Sequence, residues 1–167
     1  DSSESRGLGD VYKRQTVSRD ISTDEEIYLK VIRGKTAALF SAATQVGAVI
    51  SGSEETIINA LYEYGDALGV AFQIVDDLLD VAGDSKIIGK NNGDDFRERK
   101  LTLPFIKAIS SCNQNEKDFW KRTIEKGDQT SEDFDTALEL MQKYEAIERT
   151  RLDLSLIHIS EPTRLTR

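Results

Sequence analysis

The sequence predicts an all-α protein, and three observations carry that expectation. Apolar residues recur at i, i+3 and i+4 through most of the chain, the period of a helix with one buried face. Only two prolines occur, Pro104 and Pro162, so little interrupts a helical backbone. Glycines fall mostly at the joints between periodic segments, where turns need them. With 167 residues the chain is of single-domain size and can bury a sizeable core.

In order, Thr23-Asp24-Glu25-Glu26 reads as a capping box, with acidic side chains in the first turn. Ile27, Tyr28, Val31 and Ile32 then follow at helical spacing. Arg33-Gly34 is expected to interrupt this helix, and Lys35-Thr36 to open a second one that Ser51-Gly52-Ser53 closes. Small residues within it, Ala37, Ala38, Ala42, Ala43, Gly47 and Ala48, suit the close approach of a neighbouring helix. Ser53-Glu54-Glu55 begins a segment that keeps its period through to about Val81. That is far beyond the usual length of about 11–12 residues and suits a central member of a bundle. Gly65 and Gly69, four apart, mark close helix contact in it rather than a break. From Ala82 to Lys100 the period disappears into a polar loop, a length usually reserved for function. Thr102 is a candidate cap for a helix with Pro104 in its first turn. Two more amphipathic segments are expected, near Glu116 to Lys126 and near Glu132 to Arg149. On the first of them, Phe119 and Trp120 read as core.

Composition excludes several classes. A net charge of −8 argues against a nucleic-acid surface, because acidic chains repel a phosphate backbone. One cysteine, Cys112, allows no internal disulfide and suits a reducing compartment. No apolar run is long enough to span a bilayer, and no signal peptide opens the chain. A cytoplasmic protein is therefore expected.

The two ends read as foreign. Residues 5–15 and 154–164 can be back-translated to reverse complements of one another, and that oligonucleotide resembles a transposon-end adaptor for sequencing libraries. The expected divisions are an adaptor-like tail at 1–15, the natural segment at 16–153 and a second adaptor-like tail at 154–167. The only histidine, His158, falls in the second tail, so 16–153 offers no histidine relay or zinc site.

The candidate chemistry centres on Phe72-Gln73-Ile74-Val75-Asp76-Asp77-Leu78-Leu79-Asp80. On a helix Asp76 and Asp80 lie one turn apart on one face, with Asp77 beside them. Like charges this close destabilise a helix unless a cation relieves them. Mg²⁺ favours such oxygens and completes its shell with water and phosphate. Alone, such a run is more often a solvated edge; the apolar residues between the aspartates argue for a helix that is partly buried. Lys35-Thr36, and Gly89-Lys90 with Asp95 and Lys100, are individually unremarkable surface features. Taken with the aspartates they describe a diphosphate held between Mg²⁺ and ammonium groups.

Three blocks, Lys35 to Phe40, Gly69 to Asp80 and Gly89 to Pro104, occur in this order. Together they resemble the C-terminal half of trans-isoprenyl (polyprenyl) diphosphate synthases, of the long-chain, octaprenyl type. The resemblance covers nearly all of 16–153. It implies the isoprenoid-synthase helical bundle, and head-to-tail condensation of an allylic prenyl diphosphate with isopentenyl diphosphate. It also implies Mg²⁺ on Asp76, Asp77 and Asp80, and diphosphate contacts from Lys35, Lys90 and Lys100. Thr36 and Gln73 would present oxygen dipoles to the allylic cation, with Gln73 also touching substrate. Glycines such as Gly83 would let the following loop close. A homodimer is expected of the complete protein.

Arg99 departs from the family, which commonly has glycine before the lysine. The first aspartate-rich motif and the basic residues for isopentenyl diphosphate have no counterpart in the sequence, so the chain alone is expected to be inactive. Product chain length, set near that first motif, is not legible. Two other classes compete: a non-catalytic subunit of a heteromeric synthase, which would usually lack the aspartates, and a helical terpene cyclase, which would lack the lysine blocks.

Overall fold

The structure is a computed structural model and describes residues 19–82 and 92–164. Every regular element among them is helical: α1 (Glu25–Ile32), α2 (Ala38–Ile50), α3 (Glu55–Ala82), α4 (Asp94–Arg97), α5 (Leu103–Ser111), α6 (Gln114–Trp120), α7 (Asp133–Lys143) and α8 (Ala146–Arg164). Two π-helical turns, Arg33–Ala37 and Lys121–Lys126, lie within the run. No helix among the described residues is long and apolar enough to cross a membrane.

The first cap sits one residue later than the sequence suggests. Asp24, not Thr23, is the extended capping residue, and its carboxylate accepts the Ile27 amide at 2.8 Å. Arg33-Gly34 does not break the chain either. The backbone widens into a π turn and runs on into α2, so the kink is absorbed without a loop. Ser51 and Gly52 end α2 as expected, Gly52 supplying a left-handed φ of 69°.

Helix α3 is continuous for 28 residues and forms a hairpin with α2. Both its glycines face the preceding chain, Gly65 against α2 and Gly69 against the π turn. A Cβ on Gly65 would lie 2.6 Å from the Ser41 Cα, and one on Gly69 2.5 Å from the Ala37 Cα. Any side chain at either position would force the hairpin apart. The other face of α3 meets α8, which also packs on α5.

The core is largely aromatic at its far end. Trp120 is fully buried, with its ring 5.6 Å from Phe105, 6.3 Å from Phe96 and 5.3 Å from Phe119. Buried Lys107 on α5 ties α1 to α8 through Glu25 at 2.9 Å and Asp153 at 2.7 Å. Opposite this core the α2–α3 hairpin leaves large apolar side chains uncovered, among them Leu39, Ile50, Leu68 and Phe72.

Further expectations need correction. The polar stretch before Lys100 contains the short helix α4, because Asp80 accepts the Asp94 amide at 3.0 Å and the Asp95 amide at 3.2 Å and so caps it from α3. The single segment expected from Glu132 to Arg149 is two helices, α7 and α8. Glu145, at φ 51°, turns the chain with no glycine or proline to announce it. Thr102 does start α5 with extended backbone, but its hydroxyl is buried and makes no capping bond.

Candidate active site

The C-terminal half of α3 supplies most of the candidate residues. At 100° per residue, Gln73, Asp76, Asp77 and Asp80 share one arc of the helix. Packing then separates them. Asp76 is exposed, Asp80 is half-buried, and Asp77 is only 3% exposed.

Asp77 faces inward, away from its two companions. Its Oδ2 accepts the Tyr28 hydroxyl at 2.6 Å and its Oδ1 accepts the Gln73 amide nitrogen at 3.0 Å. Burial pushes its carboxyl up to about 6, against the pull of those hydrogen bonds. The same burial, with Asp77 beside it, raises the Tyr28 phenol. Gln73 reaches the other way to accept the Thr36 hydroxyl at 3.1 Å. A chain of hydrogen bonds thus runs from Thr36 through Gln73 and Asp77 to Tyr28.

That chain is possible because Gly69 lets the π turn lie directly on α3. The turn brings Lys35 and Thr36 to the level of α3 where the aspartates begin. Lys35 is exposed, while its neighbour Arg33 is held by Asp66 at 3.1 Å. Beside this polar arc stand Phe72, Val75 and Leu79, all exposed, so an apolar strip borders the aspartates.

Asp80 carries two loads. It caps α4, and it lies near Asp95, so burial first and that neighbour second raise its carboxyl. A cation would relieve both penalties. Lys100 is bound within its own segment, to Glu98 at 2.6 Å and Asp95 at 3.1 Å, and the Glu98 bond, first among the causes, raises its ammonium. Lys90 and Gly83 lie outside the described residues.

Among the described residues no three histidine, cysteine or carboxylate side chains gather at metal-ligating distance. One or two carboxylates facing a substrate phosphate is, however, how Mg²⁺ is ordinarily held. Asp76, which is exposed, and Asp80, whose carboxylate keeps lone pairs beyond its two amide bonds, fit that donor set. Tyr28 is the residue that sequence reading passed over. Its apolar helical spacing marked it as core, and nothing in that pattern could show its hydroxyl meeting an aspartate 49 residues away.

The site thus joins an aspartate-bearing face of α3 to a π turn that carries Lys35 and Thr36, within an all-helical fold. The chain belongs to the polyprenyl synthetase family, whose model matches residues 7–141. It is 38% identical over 140 residues to the octaprenyl diphosphate synthase of Haemophilus influenzae, covering 84% of this chain and 42% of that protein. The structure of a decaprenyl diphosphate synthase from Rhodobacter capsulatus superposes with a TM-score of 0.84 at 55% identity, over 92% of this chain and 47% of that one. A polyprenyl synthase from Caulobacter crescentus, crystallised with calcium and isoprenyl diphosphate, gives 0.82 at 40% identity, over 89% and 45% respectively. The isoprenoid-synthase helical fold is therefore shared. The chain spans about two fifths of the length of the curated relatives it matches.

Proposed function

We propose that this chain is the part of a polyprenyl diphosphate synthase that binds and ionises the allylic prenyl diphosphate before its condensation with isopentenyl diphosphate. The observation that carries the reading is the Thr36–Gln73 hydrogen bond, which puts the lysine-threonine turn beside the aspartate face. The calcium and isoprenyl diphosphate bound to the Caulobacter relative support a divalent cation and a diphosphate as ligands.

Asp76 and Asp80 would hold Mg²⁺, which when bound neutralises charge on the departing diphosphate. Lys35 binds the same diphosphate from the π turn, and Lys90 joins it. Lys100, already paired with Glu98 and Asp95, contributes by fixing its loop more than by direct contact. As the carbon–oxygen bond breaks, positive charge develops on the allyl carbon. The oxygens of Thr36 and Gln73 face that charge as fixed dipoles that are too weakly nucleophilic to capture it. Asp77 is assigned to orienting Gln73, not to the metal. Phe72, Val75 and Leu79 line the path of the apolar prenyl chain.

In this reading the first aspartate-rich motif and the isopentenyl diphosphate site come from sequence beyond this chain. Residues 16–153 form the synthase segment, and the tails 1–15 and 154–167 are translated adaptor, which the codons of the source DNA check. The full protein acts as a homodimer.

The test is prenyl transfer. The full-length protein, given an allylic diphosphate, labelled isopentenyl diphosphate and Mg²⁺, should make chain-elongated prenyl diphosphate, and the 167-residue chain alone should make none. Lys35→Ala and Asp76→Asn should each slow the full-length enzyme by about 100-fold or more. A cyclic hydrocarbon product, or transfer that survives both substitutions, would refute the assignment.

A further inference from the structure

We infer that Tyr28 is a positioning residue that sets which end of the Gln73 amide faces the reacting carbon; this rests on the reading above. The two ends of that amide have opposite polarity. Only the oxygen end stabilises a developing cation, and the nitrogen end would repel it. Gln73 has no intrinsic preference between them, because the two orientations are nearly isosteric. Its neighbours decide. Thr36 donates its hydroxyl to Oε1 at 3.1 Å, but a hydroxyl can equally accept, so Thr36 alone does not fix the orientation. Asp77 does, since its Oδ1 takes the Nε2 hydrogen at 3.0 Å and a carboxylate has no proton to offer in return.

The carboxylate must itself be held. The Asp77 side chain is short, and its rotation would carry Oδ1 away from Gln73. Tyr28 prevents this by donating to Oδ2 at 2.6 Å. Both Tyr28 and Asp77 are buried, at 6% and 3% exposure, so water cannot substitute for the phenol. Tyr28 belongs to α1, whereas Gln73 and Asp77 belong to α3. The orientation of the amide therefore depends on a helix that contributes nothing else to the site.

A merely structural Tyr28 would stabilise the fold without acting through Gln73, and a double-mutant cycle separates the two roles. In the full-length enzyme, Tyr28→Phe should lower kcat about 10-fold, the low end of what outer partners of an active group contribute. KM for the allylic diphosphate and the Mg²⁺ concentration for half activity should stay within about twofold, since no metal or diphosphate ligand is touched. In a Gln73→Leu background, Tyr28→Phe should cause no further loss. An unchanged kcat, an equal loss in both backgrounds, or a raised Mg²⁺ requirement would each overturn the inference. Should Tyr28→Phe fail to fold, the similarly sized Asp77→Leu, which removes the acceptor that Tyr28 holds for Gln73, carries the same cycle with the same expected and overturning results. A wild-type enzyme that transfers no prenyl group would sink the proposed reaction instead. Hydrogen exchange of the Gln73 side-chain amide in the 167-residue chain then decides about Tyr28. Tyr28→Phe should speed it about 10-fold, and an unchanged rate would overturn the coupling.

Discussion

At the scale of single residues, Asp133 shows how pH should act on the fold. Arg122 meets its carboxylate with two bonds, at 2.6 and 2.9 Å, and the Thr130 amide adds a third. Arg122 chiefly, against a small burial cost, holds the carboxyl at about 2, below its ordinary 3.8. A lowered folded value means the contribution is complete above about pH 4 and is lost as pH falls towards 2. Asp133→Asn should therefore lower stability at neutral pH by about 1–2 kcal/mol, kept small because the arginine is partly exposed. The difference from wild type should vanish near pH 2, which urea titrations across that range will measure. Arg99 is a second instructive residue. Its φ of 61° is the left-handed region that glycine favours, which gives a backbone reason for the glycine that the resemblance leads one to expect there. Arg99→Gly should raise stability by up to about 1 kcal/mol, less whatever packing the guanidinium gives against Gly127. A fall in melting temperature would contradict this.

Between elements, the α2–α3 contact controls the site. Gly65→Ala and Gly69→Ala would each set a methyl group against backbone of the opposing helix. Backbone cannot move aside as a flexible side chain can, so each change should cost about 2–3 kcal/mol. Gly69→Ala should do further damage, because Ala37 immediately follows Thr36. Separating the π turn from α3 lengthens the Thr36–Gln73 bond, so catalysis in the full-length enzyme should fall more than for Gly65→Ala at equal loss of stability. Equal activity in the two variants would argue that the π turn does not depend on this contact. The π turns themselves had no signature in the sequence. A one-residue widening leaves the apolar period nearly intact, and Arg33-Gly34 reads equally as a break.

For the whole molecule, the uncovered face of the α2–α3 hairpin is the dominant feature. Ile50 is 80% exposed, Leu39 73% and Phe72 57%, on adjoining helices. A patch of that kind seeks cover. The isolated 167-residue chain should self-associate with concentration and bind apolar dyes, as sedimentation and fluorescence can show. A monodisperse monomer that binds no dye would mean the face is not as the structure has it. The opposite end is closed by the aromatic cluster, where Trp120→Ala should cost about 3–5 kcal/mol and stop the domain from holding together.

Much was legible from the letters alone. Helical period, the two glycines four apart and the run from Asp76 to Asp80 specify helices, a close crossing and a polar face, because each is a local rule of spacing. The amphipathic placing of Trp120 was enough to send it inward. What spacing could not decide was which way each carboxylate looks. Asp76 and Asp77 are adjacent and chemically identical, yet one meets solvent and the other a tyrosine from a different helix. Likewise Asp80 became the cap of α4 only because the chain returns to it fourteen residues later. Those outcomes depend on contacts between segments distant in sequence, and only the packed structure brings such segments together.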